Sequence, residues 1–191
     1  MASIPYFLPS PYRNGVPESA PLLNGLMTNG QTIVLGDLLI QTGAGTISKG
    51  ASNTSTNILG FAAHNGADVY FSGIGGSAAA TSHQSFFGAS VAGTGLMSSD
   101  PLTIHYWAPG NGVYAEMSLV QTFAQSSVGA TVGITLDGTT GIFVADTTAT
   151  AIGQIVRLVE SVPGFQSYGS GGIGDTGARV LVRFNAAALA V

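Results

Sequence analysis

The sequence predicts an all-β protein, a single β-barrel or β-sandwich domain of about eight to ten short antiparallel strands behind an extended N-terminal arm. Three observations carry this. Short apolar and β-branched runs recur between clusters of Gly, Asn, Asp and Pro. Several of these runs alternate with period two, and none sustains a 3.6-residue period in good helix formers. Finally, five of the eight prolines fall within the first 23 residues, so the start of the chain is built differently from the rest.

The arm is assigned to residues 1–29 and the β domain to residues 30–191. Proline fixes φ, lacks an N–H and pushes the preceding residue into an extended shape, so the segment is expected to be neither helix nor central strand. It also carries Tyr6, Phe7, Leu8, Tyr12, Leu22 and Leu23. Groups of that size must lie on something, either the chain's own domain or a neighbouring subunit. These six are the candidate partner contacts.

In the β domain, Thr32–Ile40 is an apolar run broken by Gly36, where a bulge or bend is expected. Ile58–Ala62 and Val69–Phe71 follow as short strands. Residues 72–100 are rich in Gly, Ala and Ser and read as a long loop around Phe86 and Phe87, or as one that holds a short helix or strand. Leu102–Trp107 and Val113–Val120 are expected to pair as a hairpin through the turn Ala108–Gly112. In the second of these, Val113, Ala115, Met117 and Leu119 share one face, and Tyr114, Glu116 and Ser118 the other. A second hairpin joins Val132–Leu136 to Gly141–Ala145 through Asp137-Gly138. Gln154–Glu160 puts Ile155, Arg157 and Val159 on one face, with Val156, Leu158 and Glu160 on the other. Ala178–Phe184 turns Val180, Val182 and Phe184 inward and Arg179 and Arg183 outward.

Composition narrows the function. Only 7% of the residues are charged, 14 in all, where soluble domains average about 25%. The surface must then be covered largely by Gly, Ala, Ser, Thr, Asn and Gln, which suits a protein packed among neighbours. The alternative is a neutral extracellular domain. The five cations, Arg13, Lys49, Arg157, Arg179 and Arg183, are scattered, which argues against nucleic acid as a partner. Cysteine is absent, which removes disulfide and thiol chemistry. No run of about 18 apolar residues exists to span a membrane as a helix, and the start is not expected to be a secretory signal.

Candidate chemistry is sparse. Gly172-Ile-Gly174-Asp-Thr-Gly177 matches a dinucleotide fingerprint in letters, but a strand rather than a helix is expected to follow it. His64, His83 and His105 lack metal-ligand spacing. Asp37, Asp68, Asp137, Asp146 and Asp175 fall at turns or strand ends, where a carboxylate bonds nearby backbone. Glu116 and Glu160 are expected to meet Arg157, Arg179 or Arg183 across a sheet. Tyr106, Trp107 and Tyr114 are candidates for an aromatic platform that stacks on sugar, although a barrel cap or a subunit interface is the favoured use of these rings. No catalytic residue, cofactor, metal or small-molecule substrate is expected.

The order of these segments resembles a known family. It runs from a Pro-rich apolar arm through Thr32-Ile-Val-Leu-Gly-Asp37, Asn57-Ile-Leu-Gly-Phe-Ala62 and the Trp107–Val120 stretch. It ends in Gly141-Ile-Phe-Val-Ala-Asp146, Ile155-Val-Arg-Leu-Val159 and Gly174-Asp-Thr-Gly-Ala-Arg-Val-Leu-Val-Arg-Phe184. This pattern resembles the small β-barrel head decoration, or capsid cement, proteins of tailed phages over most of residues 25–186. The resemblance implies a virion structural protein, assembled in the host cytoplasm and placed on the outer surface of the capsid. Its partners are then the major capsid protein and copies of itself, as a homotrimer. The resemblance carries no catalytic residues. A tail-tube or other virion component and a glycan-binding β-module are the alternatives.

Overall fold

The computed structural model describes residues 8–13, 16–17, 20–28, 33–63, 103–159 and 177–190. The expected strand Val69–Phe71, the loop 72–100, His64, His83, Glu160, Tyr6 and Phe7 lie outside them. The described chain is all-β, with two short 3₁₀ turns at Gln125–Ser127 and Ala186–Ala188.

The described residues form twelve strands: β1 (Ser10–Arg13), β2 (Val16–Pro17), β3 (Leu22–Leu26), β4 (Leu38–Gln41), β5 (Ile47–Lys49), β6 (Ile58–Ala62), β7 (Thr103–Trp107), β8 (Val113–Ser118), β9 (Thr131–Leu136), β10 (Phe143–Asp146), β11 (Gly153–Leu158) and β12 (Arg179–Phe184). They form a seven-stranded sheet in the order β10-β9-β11-β12-β8-β1-β2 and a five-stranded sheet in the order β3-β7-β6-β4-β5. Every pairing of named strands is antiparallel. Together the two sheets make a sandwich-like domain.

Both sheets curl strongly. In the five-stranded sheet, Met27, just beyond β3, makes a parallel bridge to Ile47 of β5, and the Thr28 N–H donates to the Ile47 carbonyl at 2.7 Å. In the seven-stranded sheet, Leu119 bridges Ala145, and the Val120 N–H donates to the Ala145 carbonyl at 2.9 Å. In the smaller sheet the bridge joins the two end strands, and in the larger it joins β10 to the end of β8 and leaves β1 and β2 outside, which falls short of a closed barrel.

The main core lies between the sheets. It gathers Met117, Leu119, Ile134, Phe143, Ile155, Val180 and Val182 from the larger sheet and Leu38, Ile58, Phe61 and Trp107 from the smaller. Phe61 stacks on Trp107 with ring centroids 4.8 Å apart and meets Phe184 edge-on at 6.1 Å. β6 and β7 approach so closely here that a Cβ on Gly60 would run into the Trp107 carbonyl oxygen. A second cluster, Met27, Ile33, Leu39, Ile47, Ala62, Ile104 and Tyr106, packs on the opposite face of the five-stranded sheet.

The alternations in β8 and β12 place their side chains as expected: Val113, Ala115, Met117, Val180, Val182 and Phe184 all join the main core. The hairpin through Asp137-Gly138 also forms, as β9 paired with β10. Two expectations are corrected. Leu102–Trp107 and Val113–Val120 do not pair as a hairpin: β7 belongs to the five-stranded sheet and β8 to the seven-stranded one. The turn is there, with reciprocal 2.9 Å bonds between Gly110 and Val113, but the chain uses it to cross from one sheet to the other. In β11, a register shift between Ile155 and Arg157 makes Val156 an extra residue. Ile155 therefore enters the main core, while Val159 packs on the other face of the sheet with Tyr12 and Leu181.

The segment assigned to the arm contributes strands to its own domain. β1 pairs with β8 over Ser10–Arg13, β3 pairs with β7 over Leu22–Leu26, and Ala20 sits in the main core. Of the two surfaces considered for this segment, its described residues lie on the chain's own fold.

Candidate interaction surface

β3 is an edge strand with an unusual surface. Its inner edge pairs along its full length with β7, from Leu22 opposite Trp107 to Leu26 opposite Thr103. Among the described residues no strand pairs with its outer edge between Leu22 and Leu26. Leu22, Leu23 and Leu26 are 60%, 46% and 48% exposed, and Asn24 is exposed beside them. Natural edge strands are usually blunted by a charge, a proline or a bulge. Within β3 none of these is present. The local sequence explains the strand: Pro21 cannot donate and starts it, and Gly25 permits close packing, since a Cβ there would lie 2.7 Å from Cδ1 of Ile47.

Leu23 also lines a half-open pocket of about 570 Å³ with Leu59, Tyr106, Pro109, Phe184 and Leu189. The C-terminal segment forms one wall, held by the Ala190 N–H donating to the Ile58 carbonyl at 2.8 Å. No ionisable carboxylate, amine or imidazole is among the described lining residues. Burial pushes the Tyr106 hydroxyl above its ordinary pKa, so it stays protonated across the neutral range. Its described lining is neutral and holds no acid–base pair.

The other proposed contacts are dispersed. Leu8 is 42% exposed and packs beside the turn at Gly36. Tyr12 is buried on the outer face of the seven-stranded sheet with Val159 and Leu181, where its hydroxyl accepts from Nη2 of Arg157 at 3.1 Å. The structure does not bring Tyr106, Trp107 and Tyr114 together as a platform. Trp107 is buried in the main core, Tyr106 in the second cluster, and Tyr114 packs near Tyr12 on the far face of the larger sheet. The period-two pattern put Tyr106 and Trp107 on opposite faces of one strand, and the sheet crossing carried Tyr114 away from both.

Several described charged side chains are engaged in structure. Glu116, buried on β8, pairs with Arg179 of β12, one of the cross-sheet pairs expected. Arg183 instead donates to Oε1 of Gln154 at 2.9 Å. Asp37, almost fully buried, accepts from the Val34 N–H at 2.8 Å and meets Nζ of Lys49 at 2.7 Å. Asp137 accepts from the Thr140 N–H at 2.7 Å, as its turn position suggested. Among the described residues no three His, Cys, Asp or Glu gather as a metal site. Gly177, the end of the fingerprint match, leads into β12, not a helix.

Among the described residues, Asp146 is the carboxylate with the most hydrogen bonds. Oδ1 accepts from Nε2 of Gln121 at 2.7 Å and from the backbone and hydroxyl of Thr148 at 2.8 and 2.7 Å. Oδ2 accepts from the Thr135 hydroxyl at 3.1 Å. Burial acts to raise its pKa, but the bonds from Thr148, Gln121 and Thr135 outweigh it and leave the value below the ordinary carboxylate range. A depressed folded-state pKa contributes stability above the unfolded value of about 3.9 and loses it as pH falls through the folded value. Asp146→Asn is expected to cost roughly 1–3 kcal/mol at pH 7 by denaturant titration. The gap from the parent should shrink as pH is lowered below the ordinary carboxylate range, and a gap independent of pH would count against this account.

No family model, curated protein or solved structure matches the chain.

Proposed function

We propose that the protein is a virion structural component, a capsid decoration or cement protein on the outer surface of a phage head. It joins major capsid protein subunits and copies of itself, as a homotrimer, after assembly in the host cytoplasm. The observation that supports this best is the exposed, charge-free β3 edge on a domain with 14 charged residues in 191. A neutral surface does not attract DNA, and weak neutral contacts gain strength by repetition over a symmetric shell. The two curled sheets and their shared core give a body that resists deformation. The reading assigns no catalytic, cofactor or membrane role.

Purified heads mixed with the full chain should retain it through sedimentation and withstand higher temperature before releasing DNA. Removing residues 1–7, which carry Tyr6 and Phe7 and precede β1, is expected to weaken head binding roughly tenfold. Equal binding by the shortened chain rejects the role of that segment, and failure of the full chain to bind heads rejects the proposal. Rings or tubes formed by the pure protein would favour a tail-tube component instead.

A further inference from the structure

We propose that the outer edge of β3 is a two-fold contact between two copies of this chain, with Leu22–Leu26 of one copy pairing antiparallel to Leu22–Leu26 of the other. The strand's free length is bounded on both sides. Pro21 offers no N–H at one end, and at the other Met27 is engaged by Ile47. Between them lie five residues whose outer backbone groups have no described strand partner and whose leucines are about half exposed. An unpaired edge of this kind is a template for another strand.

Symmetry selects a second copy as the occupant. In a two-fold contact each side chain faces the image of the same patch, so any charge meets itself and repels. Between Glu18 and Asp37 the sequence contains no ionisable side chain. Antiparallel pairing over the free length centres on Asn24, which then faces its own image. A carboxamide both donates and accepts, so it is its own complement. The same register sets Leu22 against Leu26 on one face and Leu23 against Gly25 on the other, a large group against the smallest. A foreign strand would require none of this self-matching. The two five-stranded sheets would continue into one another across the axis.

This contact goes beyond the shell reading and stands or falls without it, because it belongs to the pure protein. The chain has no cysteine, so Asn24→Cys introduces a single thiol. Opposed across the axis, two such thiols should cross-link under mild oxidation at least about tenfold faster than those of Val128→Cys, a control at an exposed apolar position on another part of the surface. Rising concentration should double the parent's sedimenting unit, from one chain to two or from one trimer to a pair of trimers. Asn24→Asp, which opposes two carboxylates, should raise the dissociation constant of this contact at least about tenfold at pH 7, while thermal unfolding measured well below the parent's constant stays unchanged. Equal cross-linking at the two positions overturns the proposal. So does a parent chain whose sedimenting unit does not double, or one whose doubling is unaffected by Asn24→Asp.

Discussion

Replacing Phe61 with alanine is expected to remove about 3–5 kcal/mol of stability, a large part of the roughly 5–15 kcal/mol available to a domain of this kind. Phe61 is fully buried, and its ring is the point at which the two sheets lock. It stacks on Trp107 from its own sheet and meets Phe184 from the other at an interplanar angle of 90°. Truncation leaves a cavity between two large rings that do not shift easily. The backbone cannot close it either, because Gly60 already brings β6 against the Trp107 carbonyl. Denaturant titration should show a lower midpoint with an unchanged slope. Phe61→Leu, which keeps most of the volume, should retain more than half of the lost stability. A loss below about 1 kcal/mol for the alanine variant would show that the interface repacks, contrary to this account.

Deleting residues 1–23 is expected to abolish the folded domain, whereas deleting residues 1–7 leaves it intact. The longer deletion removes β1, β2 and the first two residues of β3. It takes Ala20 from the main core and Tyr12 from the cluster that covers Leu181, a side chain only 1% exposed. It also strips the edge that pairs with Tyr106 and Trp107. The shorter deletion touches no described strand. Near-ultraviolet circular dichroism should lose its aromatic signal in the first variant alone, with no cooperative thermal transition. A cooperative transition in the longer deletion would mean that residues 8–23 are dispensable to the fold.

The same contrast shows what could be inferred from sequence. β8, β12 and the turn at Asp137-Gly138 were legible because their signals are local, a period of two in one case and turn chemistry in the other. The partner of a strand is not local. Asn111 and Gly112 adopt positive φ as a tight turn requires, yet the strands they join enter different sheets. The bulge in β11 was equally hidden, since Val156 is as apolar as the residues it displaces. Proline content marked residues 1–29 as extended, which they are where described, but could not show that β1 finds β8 about a hundred residues later. At the candidate surface, Leu22 and Leu23 stood out by size. Leu26 and Asn24 did not, because exposure at a sheet edge depends on which strand is absent beside it.

The pairing of β1 with β8 and of β8 with β12 also sets a timetable. At synthesis rates of about 5–20 residues per second, β1 waits roughly 5–20 seconds for its neighbour to be made. The larger sheet cannot be completed until β12 has left the ribosome. Four strands of the smaller sheet, β3 to β6, are complete by Ala62 and wait only for β7. The nascent chain therefore holds a partly built small sheet with unfilled edges while the rest is translated. High local crowding of identical nascent chains on one message would favour exchange of strands between them, so expression at low temperature and low message density should raise the yield of correctly folded protein.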